Sequence, residues 1–240
     1  MSNPMEQFVI KPLIPLKAGD VDISFTNSSL FMLLSVGAAV LLFSLCLRRR
    51  TIVPGLAQSL PEYIYVFIAN LMKENIGPHG LKYFSFIFSL FLFIAFGNVL
   101  GLFPYAFTFT SHATAVGTLS ILALVFNICV GIKNRGWGYL RTFMPQGIPL
   151  LLAPLIVPIE MISMLSKPFS LTVRLVANMT VGHIMLKIIA GFIVSLGALG
   201  LIPLLFNSCI IVFELFIALL QAFIYTVLSC IYLGDALRSH

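Results

Sequence analysis

Charge is scarce in this chain: only 9% of its 240 residues are Asp, Glu, Lys or Arg, where a soluble domain carries about a quarter. That scarcity excludes a water-soluble globule and a disordered chain, because both need polar bulk. Cysteine is scarce too. Cys46, Cys129, Cys209 and Cys230 stand inside apolar runs with no CxxC pair, so a disulfide scaffold and a metal site are both unsupported. They read as small core residues. No GxxxxGKS or GxxxxGKT loop occurs, which leaves the chain without a phosphate-binding loop for nucleotide chemistry. What is abundant is apolar surface: 60% of residues are hydrophobic and the mean hydropathy is +1.06. The expected solvent is lipid.

The formal charge of +6 invites a nucleic-acid reading, but the basic residues stand singly or flank apolar runs, where they set topology. No nucleic-acid patch is present. Residues 1–28 contain Glu6, Lys11, Lys17, Asp20 and Asp22 and no arginine, unlike a signal or transit peptide. The segment reads as an uncleaved outer tail.

The expected fold is all-α: a polytopic membrane protein with three transmembrane helices, one amphipathic surface helix and a long, strongly tilted carboxy-terminal helical hairpin, forming one membrane domain over residues 1–240. Residues 29–47 are an uncharged run of roughly 28 Å as a helix, which matches the hydrocarbon thickness. Residues 56–76 mix Glu62, Asn70, Lys73 and Glu74 with aromatic and aliphatic side chains between Pro54-Gly55 and Gly77-Pro78, the pattern of a helix lying along a surface. Residues 83–132 read as a hairpin of two spans around an uncharged loop. Residues 149–237 hold two longer apolar stretches, 149–192 and 204–237, around a Gly-containing turn. The first, with Glu160, Lys167 and Arg174 inside it, would reach roughly 66 Å as one helix, about twice the bilayer core. A break at Lys167-Pro168 could divide it; strong tilt could keep it whole. With a single crossing, Lys11 and Lys17 lie on one side and Arg48, Arg49, Arg50, Lys73, Lys82, Lys133, Arg135, Arg141 and Arg238 on the other. The positive-inside rule then sets the amino terminus outside and the carboxy terminus inside. This split favours one tilted helix.

Ionisable residues inside such segments cost roughly 2.5–3.5 kcal/mol each on insertion scales, so each is a functional candidate. Glu160, Ser163, Lys167, Ser170 and Asn178 fall within about 40° of Arg174 on an ideal helix, whereas His183, nine residues on, turns to the opposite face. Asn207, Glu214, Gln221, Tyr225 and Tyr232 form a second stripe on the following helix, with Asp235 to one side. Folding the two about a turn near Leu199 sets His183 level with Glu214, Arg174 level with Gln221 and Tyr225, and Glu160 level with Asp235. Histidine and carboxylate exchange protons, while a guanidinium with pKa above about 12 does not. Such an order suits a divided proton path. The alternative for Arg174 is a structural staple, for His183 and Glu214 a hydrogen-bonded structural pair, and for Lys167 and Lys187 snorkelling toward a surface.

The run Ser170-Leu-Thr-Val-Arg174-Leu-Val-Ala-Asn178-Met-Thr-Val-Gly-His183, followed by Glu214, by Leu220-Gln221-Ala222-Phe223-Ile224-Tyr225 and by Tyr232-Leu-Gly-Asp235-Ala, resembles the a subunit of rotary F-type ATP synthases. The likeness extends to Asn98-Val-Leu-Gly-Leu-Phe-Pro104-Tyr105 and Thr110-Ser111-His112, and the pairing of His183 with Glu214 is similar to the mitochondrial and alphaproteobacterial form. The resemblance implies a stator with no catalysis of its own, against a ring of c subunits, with b-type peripheral-stalk and other synthase subunits as partners and no cofactor or metal. It implies an energy-transducing membrane, either the bacterial cytoplasmic membrane or the mitochondrial inner membrane. Protons would enter through His183 and Glu214, with Asn98, Ser111 and His112 as lining, and leave near Glu160 and Asp235, Arg174 separating the two routes. Without the resemblance, a proton-coupled secondary transporter would use the same residue types. A structural assembly factor leaves their ordered depths unexplained.

Overall fold

Lipid offers the backbone no hydrogen bonds, so a spanning apolar segment must satisfy its own, and the α-helix does so within one segment. The computed structural model describes residues 9–15, 17–18, 21–22, 24–48, 51, 54–103, 106–136 and 153–237, and is dominated by such helices: α1 (Asn27–Cys46), α2 (Leu56–Asn75), α3 (Phe84–Gly101), α4 (Ala113–Arg135), α5 (Ala153–Leu196) and α6 (Leu201–Leu237). All but α2 are long and apolar enough to cross a membrane. Residues 149–152, the start of the expected long helix, and Arg49, Arg50, Pro104, Tyr105, Arg141 and Arg238 lie outside the described residues.

The long helix is unbroken. α5 runs through Pro158 and Pro168 for 44 residues and α6 for 37, lengths of roughly 66 and 56 Å. Only the turn Gly197–Gly200 joins them, shorter than the expected one, with Pro203 inside the first turn of α6, where its missing N–H has no intrahelical acceptor to lose. Gly197 adopts φ +55°, and a Cβ on Gly200 would stand 2.5 Å from the Ile193 carbonyl oxygen. Both positions need glycine.

The chain packs as two compact units, to each of which α3, α4, α5 and α6 contribute a part. The first comprises Met1–Leu45, Leu92–Val116 and Arg174–Ala222. Within it the tail forms two short antiparallel ladders, β1 (Pro12–Ile14) with β4 (Phe25–Thr26) and β2 (Lys17–Ala18) with β3 (Val21–Asp22). Thr26 Oγ1 then accepts from the Ser29 N–H at 3.4 Å, beginning α1.

The second unit comprises Cys46–Phe91, Gly117–Val173 and Phe223–His240. Its core gathers Ile68 and Met72 of α2 with Ile87, Val130, Cys230 and Leu233, and Phe86 stacks on Phe126 at 3.7 Å. α2 is amphipathic as its pattern implies: Ile68, Leu71 and Met72 are buried while Tyr63, Lys73 and Glu74 are exposed. Gly77, at φ +89°, stops it, its N–H returning to the Lys73 carbonyl. Of the cysteines, Cys230 is core; Cys129 and Cys209 are exposed and Cys46 is half-buried, because a lipid-facing helix surface accepts the same apolar residues as a core. At the second proline of α5, Thr172 Oγ1 donates to the Pro168 carbonyl at 2.9 Å and lies 2.8 Å from Ser120 Oγ on α4. Since the Thr172 hydrogen is committed to a carbonyl, Ser120 is the donor, and α4 is tied to α5 beside the proline.

The fully buried Ile68 should matter more than its neighbours on the exposed face. Ile68→Ala is expected to cost about 2 kcal/mol or more in detergent unfolding, while Tyr63→Ala, at a side chain 75% exposed, leaves the midpoint unchanged.

Candidate functional site

The polar residues of α5 divide between two faces. Leu171, Leu175, Met179 and His183 recur every four residues and are buried, so His183 continues the packed stripe. Arg174 is exposed, with Asn178 half-buried one turn on. Nothing acidic lies within two turns of Arg174 on its own helix. The nine-residue step from Arg174 to His183 thus carries the chain from the exposed to the packed face.

Across from His183, α6 presents Glu214, 8% exposed. A Cβ on Gly182 would collide with the Glu214 carboxylate. The carboxylate therefore occupies the room that the missing side chain leaves, and brings α5 and α6 together antiparallel. In the second unit Lys167 Nζ of α5 lies 5.1 Å over the Tyr232 ring of α6. Counted from the turn, Gly182 and Glu214 are nearly equidistant, as an antiparallel hairpin requires.

His183 and Glu214 are neighbours but not a hydrogen-bonded pair. Neither carboxylate oxygen of Glu214 has a hydrogen-bond partner among the described residues. His183 instead meets the loop between α3 and α4, its Nε2 standing 3.0 Å from Thr108 Oγ1. The Thr108 hydroxyl donates to the Gly101 carbonyl at 3.1 Å, and the Thr108 carbonyl accepts from both the N–H and the hydroxyl of Ser111 at 3.1 and 2.6 Å. Two glycines of α3 receive this loop: a Cβ on Gly101 would come 2.6 Å from the Thr108 methyl, and one on Gly97 would strike the Phe109 ring.

Asn98, fully buried on α3, donates from Nδ2 to the Ala218 carbonyl at 3.0 Å, pinning α3 to α6 between Glu214 and Gln221. His112 stacks on Phe107 at 5.0 Å. Buried oxygens of Asn98, Asn207, Glu214 and Gln221, and the buried Nε2 of His112, have no partner among the described residues. Asn207, Glu214 and Gln221 are spaced by sevens and so share one face of α6. In the second unit Glu160 is half-buried and Asp235 exposed, and a small pocket is lined by Ser120, Asn127, Lys167, Tyr225, Ser229 and Tyr232 among others. These contacts thus hold His183, Glu214 and Asn98 within the first unit, with Gln221 buried two turns along α6 from Glu214, and leave Arg174 exposed. Sequence reasoning missed Thr108; its only signal was the polar run it begins, which continues through Thr110, Ser111 and His112. Among the described residues no three His, Cys, Asp or Glu side chains converge as metal ligands.

Comparison with known proteins now adds to the geometry. The model of a family described as ATP synthase A chain matches residues 29–234. The ATP synthase subunit a of Rhodospirillum rubrum is 51% identical over 241 residues, covering 100% of both chains. That of Paramagnetospirillum magneticum (strain ATCC 700264 / AMB-1) is 51% identical over 247 residues, again 100% of both. That of Chelativorans sp. (strain BNC1) is 46% identical over 244 residues, covering 99% of this chain and 98% of the relative.

The seating of Glu214 on Gly182 yields its own test. Gly182→Ala should overpack the α5–α6 contact and cost about 1–3 kcal/mol in detergent unfolding. Adding Glu214→Asp, which withdraws the carboxylate by one methylene, should recover most of that loss; a strictly additive double-mutant cycle would place the strain elsewhere.

Proposed function

The chain belongs to the ATP synthase A chain family, and we propose that in the membrane sector of an F-type ATP synthase it passes protons to and from a rotating c ring through two offset half-channels separated by Arg174. As a member it is a non-catalytic, membrane-embedded component that works with other ATP synthase subunits. The secondary-transporter reading is set aside by that membership.

The observation that carries the proposal is the division of α5, with Arg174 exposed on one face and His183 buried on the other, next in the chain to the Gly182 that seats Glu214. The exposed face is free to meet a ring of c subunits, each holding an intramembrane carboxylate. An unpaired arginine in lipid is costly unless a partner supplies the opposite charge, and nothing near it on α5 does. Its guanidinium favours the ionised form of a passing carboxylate and, keeping its own proton, gives none to a direct leak. On the other face His183 and Glu214 load protons from outside. Asn98, Ser111 and His112 line that route, and Asn178 and Gln221 continue it toward the ring. The buried, unpartnered oxygens of Asn98, Glu214 and Gln221 support this assignment, since such atoms in native interiors call for a further partner, and a hydrated proton path supplies one. Glu160 and Asp235 form the exit on the inner side. Each proton crossing supplies about 2.3 kcal/mol per 100 mV, delivered as torque on the ring. The amino terminus lies outside and the carboxy terminus inside, in a bacterial cytoplasmic or mitochondrial inner membrane, with b-type peripheral-stalk subunits holding the stator.

Two measurements test the reading. Arg174→Lys keeps a positive charge but loses the fixed guanidinium and gains a proton it can give up. In the assembled complex in vesicles it should abolish coupled ATP synthesis, and Arg174→Ala should admit passive proton leak. A lysine variant synthesising at the parental rate, with no leak in the alanine variant, returns Arg174 to the role of a staple. At the loading site, Glu214→Asp should retain more proton-driven synthesis than Glu214→Gln, which should fall by about tenfold or more, equivalent to roughly 1.4 kcal/mol on the barrier. Equal rates for the two would make Glu214 structural.

A further inference from the structure

We propose that Thr108 is a positioning residue that fixes His183 in one tautomer, with hydrogen on Nε2, so that protons reach and leave this histidine through Nδ1. The inference rests on the proton-path reading above and deepens it.

A threonine hydroxyl has one hydrogen to give and two lone pairs to receive with. Thr108 Oγ1 stands between two groups, the Gly101 carbonyl at 3.1 Å and His183 Nε2 at 3.0 Å. The carbonyl can only accept, so the hydroxyl hydrogen goes there. Gly101 closes α3, where last-turn carbonyls lack intrahelical donors. With its hydrogen committed, Oγ1 faces Nε2 with a lone pair, and the pair is a bond only if Nε2 carries hydrogen. Neutral His183 therefore holds its hydrogen on Nε2 and a lone pair on Nδ1.

The arrangement is built rather than incidental. Thr108 is 3% exposed and His183 8% exposed, so a misdirected hydrogen would leave a buried polar atom unpaired. The absence of a side chain at Gly101 lets Thr108 approach, and Ser111 fixes the Thr108 carbonyl through two hydrogen bonds. In a loading step, Nδ1 takes a proton and the ring becomes imidazolium, Nε2 still bonded to Thr108. Loss of that proton from Nδ1 restores the starting tautomer without a ring flip. Delivery from Nε2 would instead require Thr108 to surrender its bond to Gly101. Thr108 thus makes one nitrogen of His183 the working atom and the other an anchor.

The test uses the whole ATP synthase carrying 15N-labelled histidine, reconstituted in liposomes. Solid-state NMR reads the tautomer, and the His183 signal is assigned by its loss in His183→Gln. The parent and Thr108→Ser, which keeps the hydroxyl, should hold hydrogen on Nε2. Thr108→Val, which matches the shape without a lone pair, should move signal to the Nδ1–H form. Proton-driven synthesis in Thr108→Val should fall by about tenfold or more, within the range a misplaced acid–base group costs, with Thr108→Ser retaining most of the rate. An Nδ1–H parent, an unchanged tautomer in Thr108→Val, or a parental synthesis rate in that variant would each overturn the inference; the parent spectrum decides even if the valine variant does not assemble. Failure of the proton-path reading looks different: His183→Gln would then synthesise at the parental rate whatever the tautomer.

Discussion

The seating of the Glu214 carboxylate against the bare backbone of Gly182 is the contact on which the arrangement of the site depends. In hydrocarbon no hydrophobic force draws helices together, and close approach depends on small residues at the interface. Here the small residue serves a second purpose, because the group it admits is an acid. Once Gly182 faces Glu214, the antiparallel register of α5 and α6 is set. Ala218, one turn beyond Glu214, offers the carbonyl that Asn98 holds. Three helices are thus fixed around one carboxylate by contacts of a few atoms each.

The two faces of α5 meet different surroundings. Buried positions at every fourth residue carry Leu171, Leu175, Met179 and His183 inward, so the histidine inherits a rigid, packed setting. Arg174 departs from this stripe and stays exposed, half a turn of phase from the histidine on the same helix. Under the proposed function the helix itself is the insulator: the arginine and the proton-exchanging histidine are kept apart by half a turn of phase rather than by a wall of other residues. A polar row on α6, spaced by sevens, completes the division because seven residues return to almost the same face.

Much of this was legible in the amino-acid pattern, for a physical reason. In lipid, length and apolarity decide what forms a helix, and both can be counted; residues 56–76 and 29–47 differ from the observed α2 and α1 by one or two positions at their ends. The fate of Pro168 could not be counted. A proline inside a membrane helix bends, breaks or passes according to its neighbours, and the neighbours here, Thr172 and Ser120, lie on two helices far apart in sequence. The burial of cysteines was misjudged because lipid-facing and core positions look alike in composition. Thr108 was missed for a related reason: it stands in an uncharged loop among other threonines, and its importance comes from what Gly101 lacks. The ladders of the tail, two or three residues per strand, are too short to leave a period of two in the sequence.

Glycine therefore has an unusual share in the chemistry. Gly97 and Gly101 on α3 admit the loop that carries Thr108, and Gly182 on α5 admits Glu214, so His183 is approached from two helices through the absence of side chains. A polar group buried in a low-dielectric interior gains from each bond it completes and loses heavily from each it does not. The cheapest way to bring donors and acceptors within about 3 Å there is to remove bulk from the backbone they must pass. Substituting any of these glycines would alter no titratable group, yet would shift the buried polar atoms packed against them by more than a hydrogen bond tolerates. Under the proposed function the acid–base residues of this protein thus work at distances that the glycines set.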